Sequence, residues 1–297
     1  MGIVAVYFAS RSPSLVDQEP VYIAVVGPMK EPGGKAMQEG VEFYGEQINK
    51  QGGIDGRKVE FIFRDDQNDP KVAQRIAHAL AGDNKVLAVL GHYHSSTSSV
   101  AGKIYKKNGI PALTASATVE SVIQDNEWYF RTVPGNAFEA QFVASYMYDI
   151  LSVYRNISQT EKIPASIIFS KDNYGISLLK NFEKIAKQFN IEIKGKWEWD
   201  YQKSSAEQIE SITKELATID DPGVIYFATH AAEGVQIITG LKDTGKTYLM
   251  IASAALARDF FHELKSYSKE RETPGYYSDG IYFVSPYIMA LSGVEGV

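Results

Sequence analysis

Two clusters of hydroxyl side chains stand out, GHYHSSTSS at residues 91–99 and TASAT at residues 114–118. Ser and Thr hydroxyls beside backbone N–H groups suit a carboxylate: they give it charge-assisted bonds from neutral donors and bury no unpaired cation. The first cluster holds Tyr93 and Ser95, the second Ser116, Ala117 and Thr118, and each follows a short apolar run. Ser and Thr are also ordinary helix caps and turn residues, so either cluster alone carries both readings. Similar polar groups follow later apolar runs: Asp172, Asn173 and Tyr174 after Phe169, Thr229 and His230 after Ala228, and Ser253 after Ala252. A tyrosine in such a place can close over a ligand with its ring while offering a hydroxyl; the plainer alternative is a surface aromatic on a capped turn.

Catalytic arrangements find little support. His92 and His94 stand two apart, which does not place them on one helix face, and no third ligand accompanies them. The serine-rich run has no GxSxG elbow and no assigned His/Asp pair. Asp65 and Asp66 sit together at a strand end, and Asp220-Asp221-Pro222 reads as a turn. Neither GxGxxG nor GxxxxGK[ST] follows the first strand, so a phosphate-cradling nucleotide fold is not expected. The chain has no cysteine, which excludes disulfides, thiolate nucleophiles and Cys-based zinc sites. A net charge of −6 without a dense Lys/Arg run argues against nucleic acid as a partner. These residues lead to a binding protein that uses neither cofactor nor metal.

The elements that must position these groups follow a βα grammar. Its 297 residues suit two α/β lobes at about 100–200 residues per domain, and 44% apolar content supplies a core for each. Residues 1–19 are set aside as a leader or disordered start. Their apolar stretch, residues 2–9, is far shorter than a membrane span and reads either as the tail of a secretory signal or as a frayed start. Strands are expected at 21–26, 59–63, 86–90, 110–114 and 129–133, then at 166–169, 191–198, 224–228, 248–252 and 280–284. Between them run helical patterns: Met37, Val41, Tyr44 and Ile48 share one face, Val72, Ile76 and Leu80 point inward, and further helices carry Val100 and Ile104; Leu178, Phe182 and Ile185; Ile209, Ile212 and Leu216; and Val235, Ile238 and Leu241. Another helix covers 137–150, residues 155–162 read as a surface loop, and Pro134-Gly135 punctuates the middle. Alternating strands and helices imply α/β with parallel sheets, whose ligands sit outside the carboxyl ends of the strands.

Several stretches together resemble the leucine/isoleucine/valine-binding protein family, the type I periplasmic binding fold shared with amide-binding proteins and receptor ligand-binding domains. They are VVGPM (25–29), INKQGGIDGRKVEF (48–61), DDQNDP (65–70), VLGHYHSSTS (89–98), PALTASAT (111–118), FRTVP (130–134) and DNYG (172–175). The resemblance runs from about Val21 to Pro286. It implies two doubly wound parallel-sheet lobes joined by a hinge, one of residues 20–134 with a returning segment at 286–297, the other of residues 135–285. It implies capture of an amino acid or similar small polar ligand by hinge closure, outside the cytoplasm, at the periplasmic or extracellular face. The expected partner is the membrane permease of an ABC transporter; the alternative is a receptor's ligand-sensing domain coupled to a signalling module.

By the same similarity, Ser95 and Thr118 would hold a ligand carboxylate, with the Ser116 backbone and the Thr118 side chain near an ammonium, and Tyr93 and Ala117 in the same two segments. Tyr174 would close from the second lobe. Family binders of branched-chain amino acids add a second-lobe acid where this chain has Ser253, and His230 stands where a nearby aromatic is usual. Asp172 and Asp279 are the acids on hand as replacements. Family members also continue past the crossing at Ser285-Pro286 with elements that return to the first lobe. Their absence would leave apolar first-lobe surface uncovered and predicts poor solubility.

Overall fold

Strands that are apolar on both faces need cover on both sides, and this chain supplies it with helices between consecutive parallel strands. The computed structural model describes residues 19–155 and 161–285. Readings that concern residues 1–18, the middle of the 155–162 loop and the returning segment 286–297 lie outside the described residues. Contacts divide the chain into two units. The first takes residues up to Ala117 together with Ser121–Thr132, and the second takes Thr118–Glu120 together with everything from Val133.

The first unit runs β1 (Val21–Gly27), α1 (Pro32–Lys50), β2 (Val59–Asp65), α2 (Pro70–Ala81), β3 (Val86–Gly91), α3 (Ser95–Asn108), β4 (Ala112–Thr114) and β5 (Tyr129–Arg131). Its sheet has the order β2-β1-β3-β4-β5, with every pairing parallel. Local chemistry starts α2 as expected: Pro70 opens it and the Asp69 carboxylate caps it, accepting from the N–H of Lys71 at 2.6 Å. Ala73, Ala77 and Leu80 of α2 are buried, with Val72 and Ile76 partly so.

In α1 the shared apolar face is not the buried one. Tyr44 is 68% exposed and Ile48 is also on the surface, while Met37 and Val41 are only partly covered. The helix instead turns its glycine side inward: Gly45 is buried, and a Cβ there would stand 2.2 Å from the Phe61 ring. Close backbone approach at Gly45 fixes the rotation of the helix, and the apolar stripe follows where that leaves it. Phe43, Leu87 and Phe130 add further exposed apolar surface to this unit.

The second unit runs α4 (Asn136–Arg155), β6 (Ile163–Ser170), α5 (Asn173–Ala186), β7 (Ile191–Trp199), α6 (Ser205–Thr218), β8 (Val224–Ala228), α7 (Ala231–Asp243), β9 (Leu249–Ala252), α8 (Ala254–Leu264), α9 (Ser268–Glu272) and β10 (Ile281–Phe283). The sheet order is β10-β9-β8-β6-β7, again parallel throughout. Strands β6 and β8 are buried along their whole length. Their residues alternate between two cores: Ile167 and Tyr226 pack with Leu178 and Phe182 of α5 on one face, while Ile168 and Phe227 pack with Val235 of α7 and Leu256 of α8 on the other. The sequence reading had no helix at 254–264, although Leu256, Phe260 and Leu264 recur every fourth residue and all three are buried.

Candidate functional site

Parallel sheets bind ligands where the strand order reverses, because the loops leaving two neighbouring strands diverge there and open a crevice. In the first sheet the reversal lies between β1 and β3; in the second it lies between β6 and β8.

After β3 the chain enters an interior lock. Gly91 has φ +122, and a Cβ there would stand 2.0 Å from the Val26 carbonyl oxygen, so the strand end admits only glycine without strain. His92 follows, fully buried. Its Nδ1 lies 2.8 Å from Asp66 Oδ2 and its Nε2 lies 3.0 Å from the Tyr105 hydroxyl. Its N–H donates to the Tyr129 hydroxyl at 2.8 Å, and that hydroxyl donates to the Gly91 carbonyl at 2.7 Å. Its carbonyl accepts from Ser98 Oγ at 3.0 Å and Thr114 Oγ1 at 2.9 Å. Burial pushes both the Tyr105 and Tyr129 phenols up, which keeps them as donors. Both His92 ring nitrogens are therefore committed inside the fold. Among the described residues, no group of three or more His, Asp or Glu could hold a metal ion.

The lock places the expected residues beside it. Tyr93 packs over α1, where a Cβ on Gly33 would stand 2.2 Å from its hydroxyl, and its backbone carbonyl accepts from the Ser116 hydroxyl. Ser95 is buried at the start of α3. The structure thus brings Tyr93, Ser95, Ser116 and Ala117 into one loop assembly at the carboxyl ends of β3 and β4. Two details differ from the sequence reading. His94, not a serine, occupies the cap position of α3, and the hydroxyls of Thr97, Ser98 and Ser99 donate to carbonyls. The N–H groups of Ser116 and Ala117 point to Thr114 Oγ1, at 3.3 and 3.0 Å, rather than outward. A small side chain satisfies nearby backbone before it faces anything else.

In the second unit, Asp172 caps α5, its Oδ1 accepting from the Gly175 N–H at 2.8 Å, while its Oδ2 lies 2.8 Å from His230 Nε2. The His230 ring rests against the Tyr174 ring, centroids 5.0 Å apart. Burial alone pushes the imidazole pKa down, but the bond to Asp172 and the charges of Asp172 and Glu233 outweigh it, and the net shift is upward. Glu233 is buried on α7, where its Oε1 accepts from the His230 N–H at 2.8 Å, from the Tyr201 hydroxyl at 2.8 Å and from Ser170 Oγ. Ser253, fully buried, stands at the start of α8 and donates its hydroxyl to the Thr229 carbonyl at 2.8 Å. Thr118 belongs to this unit too, its carbonyl accepting from the Asn136 N–H at 3.0 Å.

Of the two acids considered as replacements near Ser253, only Asp172 lies at the carboxyl edge. Asp279 lies two residues before β10, and its carbonyl meets Lys242 of the last turn of α7, so it stands at the amino edge of the sheet. A surface hollow lies between β7 and α6, lined by Trp197, Gln208 and Glu215 among others.

A family model described as periplasmic binding protein matches residues 20–288. The chain belongs to the periplasmic binding protein family. Within the family it is similar to a protein from Pseudomonas aeruginosa named amino acid binding protein, 29% identical over 162 residues that make up 53% of this chain and 41% of that one. It is also similar to the Leu/Ile/Val-binding protein of Escherichia coli, 28% identical over 198 residues, 65% of this chain and 50% of that one. Among solved structures, an ABC transporter substrate-binding protein from Desulfitobacterium hafniense in complex with Leu matches at TM-score 0.64 and 26% identity, covering 80% of this chain and 67% of that one. The branched-chain amino acid transporter substrate-binding protein LivJ from Streptococcus pneumoniae, in complex with isoleucine, shares the fold at TM-score 0.75 and 18% identity over 92% of this chain and 73% of that one. The chain spans half or less of the length of these two curated relatives.

Sequence reasoning missed Asp66 as the partner of His92, Glu233 as the hub beneath His230, and Asn136 and Glu139 on the first turn of α4. The last two carried a signal, an N-x-x-E spacing directly after Pro134-Gly135 of the kind that opens helices.

Proposed function

We propose that this member of the family is an extracytoplasmic solute-binding protein that captures an amino acid or similar small polar ligand between its two lobes by hinge closure, and delivers it unaltered to the permease of an ABC transporter. In this reading the lobes are residues 20–134 and 135–285, and the hinge includes the crossing at Val133–Gly135. Ser95 and Thr118 take the ligand carboxylate, with Tyr93, Ser116 and Ala117 shaping that end. Tyr174, His230 and Ser253 close from the second lobe.

The observation that carries the reading is the chemistry at the two switch points. In the first unit a hydroxyl-rich loop assembly follows β3 and β4; in the second an aromatic pair, Tyr174 with His230, follows β6 and β8. Hydroxyl-bearing side chains in one unit and an aromatic pair in the other suit a small carboxylate-bearing molecule. The printed names of the relatives, amino acid binding protein and Leu/Ile/Val-binding protein, support the same ligand class.

A thermal-shift screen of amino acids, amides and small carboxylates tests it, since a ligand that binds only the folded form raises the melting temperature. A hit should lose affinity in a Ser95→Ala/Thr118→Ala double variant, at ~1.5–3 kcal/mol for each charge-assisted bond removed. Calorimetry that found the double variant binding as tightly as the parent would defeat the placement of the carboxylate.

A further inference from the structure

Between β4 and β5 the chain changes units for three residues. The first unit runs up to Ala117, Thr118–Glu120 belong to the second, and Ser121 returns to the first. Ordering so short a segment costs backbone freedom, so something must fasten it. The fastening is at the start of α4. The first N–H groups of a helix have no partner inside it, and here the segment supplies acceptors for two of them. The Thr118 carbonyl accepts from the Asn136 N–H at 3.0 Å, and Glu120 Oε1 accepts from the Ala137 N–H at 2.6 Å. A carboxylate at a helix N-terminus also gains from the positive end of the helix dipole. Val119, between the two, is buried.

The other carboxylate oxygen reaches α5. Glu120 Oε2 accepts from Ser177 Oγ at 3.2 Å and from Asn181 Nδ2 at 3.4 Å. Ser177 and Asn181 are neighbours along one face of α5, and the Asn181 amide also donates to the Ser177 carbonyl at 2.9 Å. Tyr174 lies on the same helix, one turn before Ser177. A single carboxylate therefore joins the segment that carries Thr118, the first turn of α4 and the helix that carries Tyr174. All of these residues belong to the second unit.

We infer that Glu120 is the positioning residue for Thr118: it fixes the Thr118 segment to α4 and α5, so that Thr118 keeps one geometry with respect to Tyr174 and meets the ligand carboxylate already placed. The inference rests on the solute-binding reading above, which gives Thr118 the carboxylate, and adds the residue that orients it. Glu120 acts through Thr118 rather than on the ligand. A group held in place before binding has less freedom to lose when the ligand arrives, and that difference appears as affinity. Without the Glu120 carboxylate, Thr118 would be unaltered chemically but no longer held, and its bond to the ligand would weaken.

Calorimetric titration of the wild-type chain with L-leucine and L-leucinamide, and with L-alanine and L-alaninamide, measures the preference for a carboxylate over its amide. Thr118→Ala should cut that preference by about tenfold or more, the loss of one charge-assisted bond. Glu120→Ala should cut it as far, and Glu120→Ala/Thr118→Ala no further, because both changes remove the same bond. A role confined to holding the fold would lower the melting temperature and weaken acid and amide alike, so a Glu120→Ala chain that kept the wild-type preference overturns the inference. If Glu120→Ala does not fold, Ser177→Ala/Asn181→Ala, which leaves the bonds to α4 in place, decides. A reduced preference that does not add to the effect of Thr118→Ala supports the positioning role; an unchanged one overturns it. Thr118→Ala without effect on the preference removes Thr118 from the carboxylate site, and the positioning role with it, but leaves solute binding standing. A chain that binds none of these ligands removes the amino-acid reading and this inference together.

Discussion

Asp66 Oδ2 and His92 Nδ1 lie 2.8 Å apart, and neither side chain has any exposed surface. The pair joins the end of β2 to the end of β3, and His92 in turn anchors the loop bearing Tyr93 and Ser95. Removing one member of a buried hydrogen-bonded pair leaves the other's polar atom unsatisfied. Asp66→Ala is therefore expected to destabilise the chain by about 1–3 kcal/mol. Urea denaturation followed by circular dichroism measures this; a loss within experimental error would show that the lock is dispensable.

His230 offers a pH signature. Its net upward shift comes from Asp172 and Glu233 overriding burial. A histidine raised in the folded state stabilises fully below its unfolded value, near 6.5, and that contribution fades as pH rises through the folded value. Asp172→Asn removes the nearer charge, so the His230 midpoint should fall and the pH dependence of stability above about 6.5 should flatten. An NMR titration of the imidazole resonances reads the midpoint directly; one that did not move would assign the shift elsewhere.

Glu139 should act on stability with its own sign. Its pKa rises from 4.5 in the ordinary carboxyl to about 7 when folded. The protonated acid thus favours the folded state, fully below about 4.5, and this advantage of ~3 kcal/mol is lost as pH climbs through about 7. Ligand-free wild type should lose stability across that window, and Glu139→Gln, which has no proton to lose, should not. Denaturation midpoints of the two proteins that ran parallel from pH 4.5 to 8 would contradict the burial of an ionisable carboxyl at this point.

Much of the architecture was legible because its causes are local. The runs SIIF at 166–169 and VIYFA carry no polar alternation, as strands covered on both faces must, and both lie in fully buried strands, the first extended by the structure to Ile163–Ser170. Asp69-Pro70 contains its own cap and its own fixed φ, and a helix begins there. Tyr44 and Ile48 show the limit of periodicity: it identified a stripe on α1, but contact between Gly45 and Phe61 decided which side faced the sheet. The site residues divide in the same way. Position after a strand end marked Ser95, Ser116, Tyr174, His230 and Ser253, while the hydrogen bonds of Ser98 and Ser116 go to carbonyls that lie 6 and 23 residues away in the chain.

The amino-acid sequence determined the alternation of strands and helices, the parallel sheets and the residue types gathered at the strand ends, because each depends on propensity, capping or short-range periodicity; the family was carried separately, by motifs whose order along the chain resembles it. The tertiary structure decided which of those groups turn inward and which partners they find. Asp66 meets His92 across 26 positions, Asp172 meets His230 across 58, and Glu139 meets the N–H of Ala254 across 115. Such pairings follow from the order in which strands are laid into a sheet, and that order is settled by how whole faces pack, which no short stretch of sequence contains.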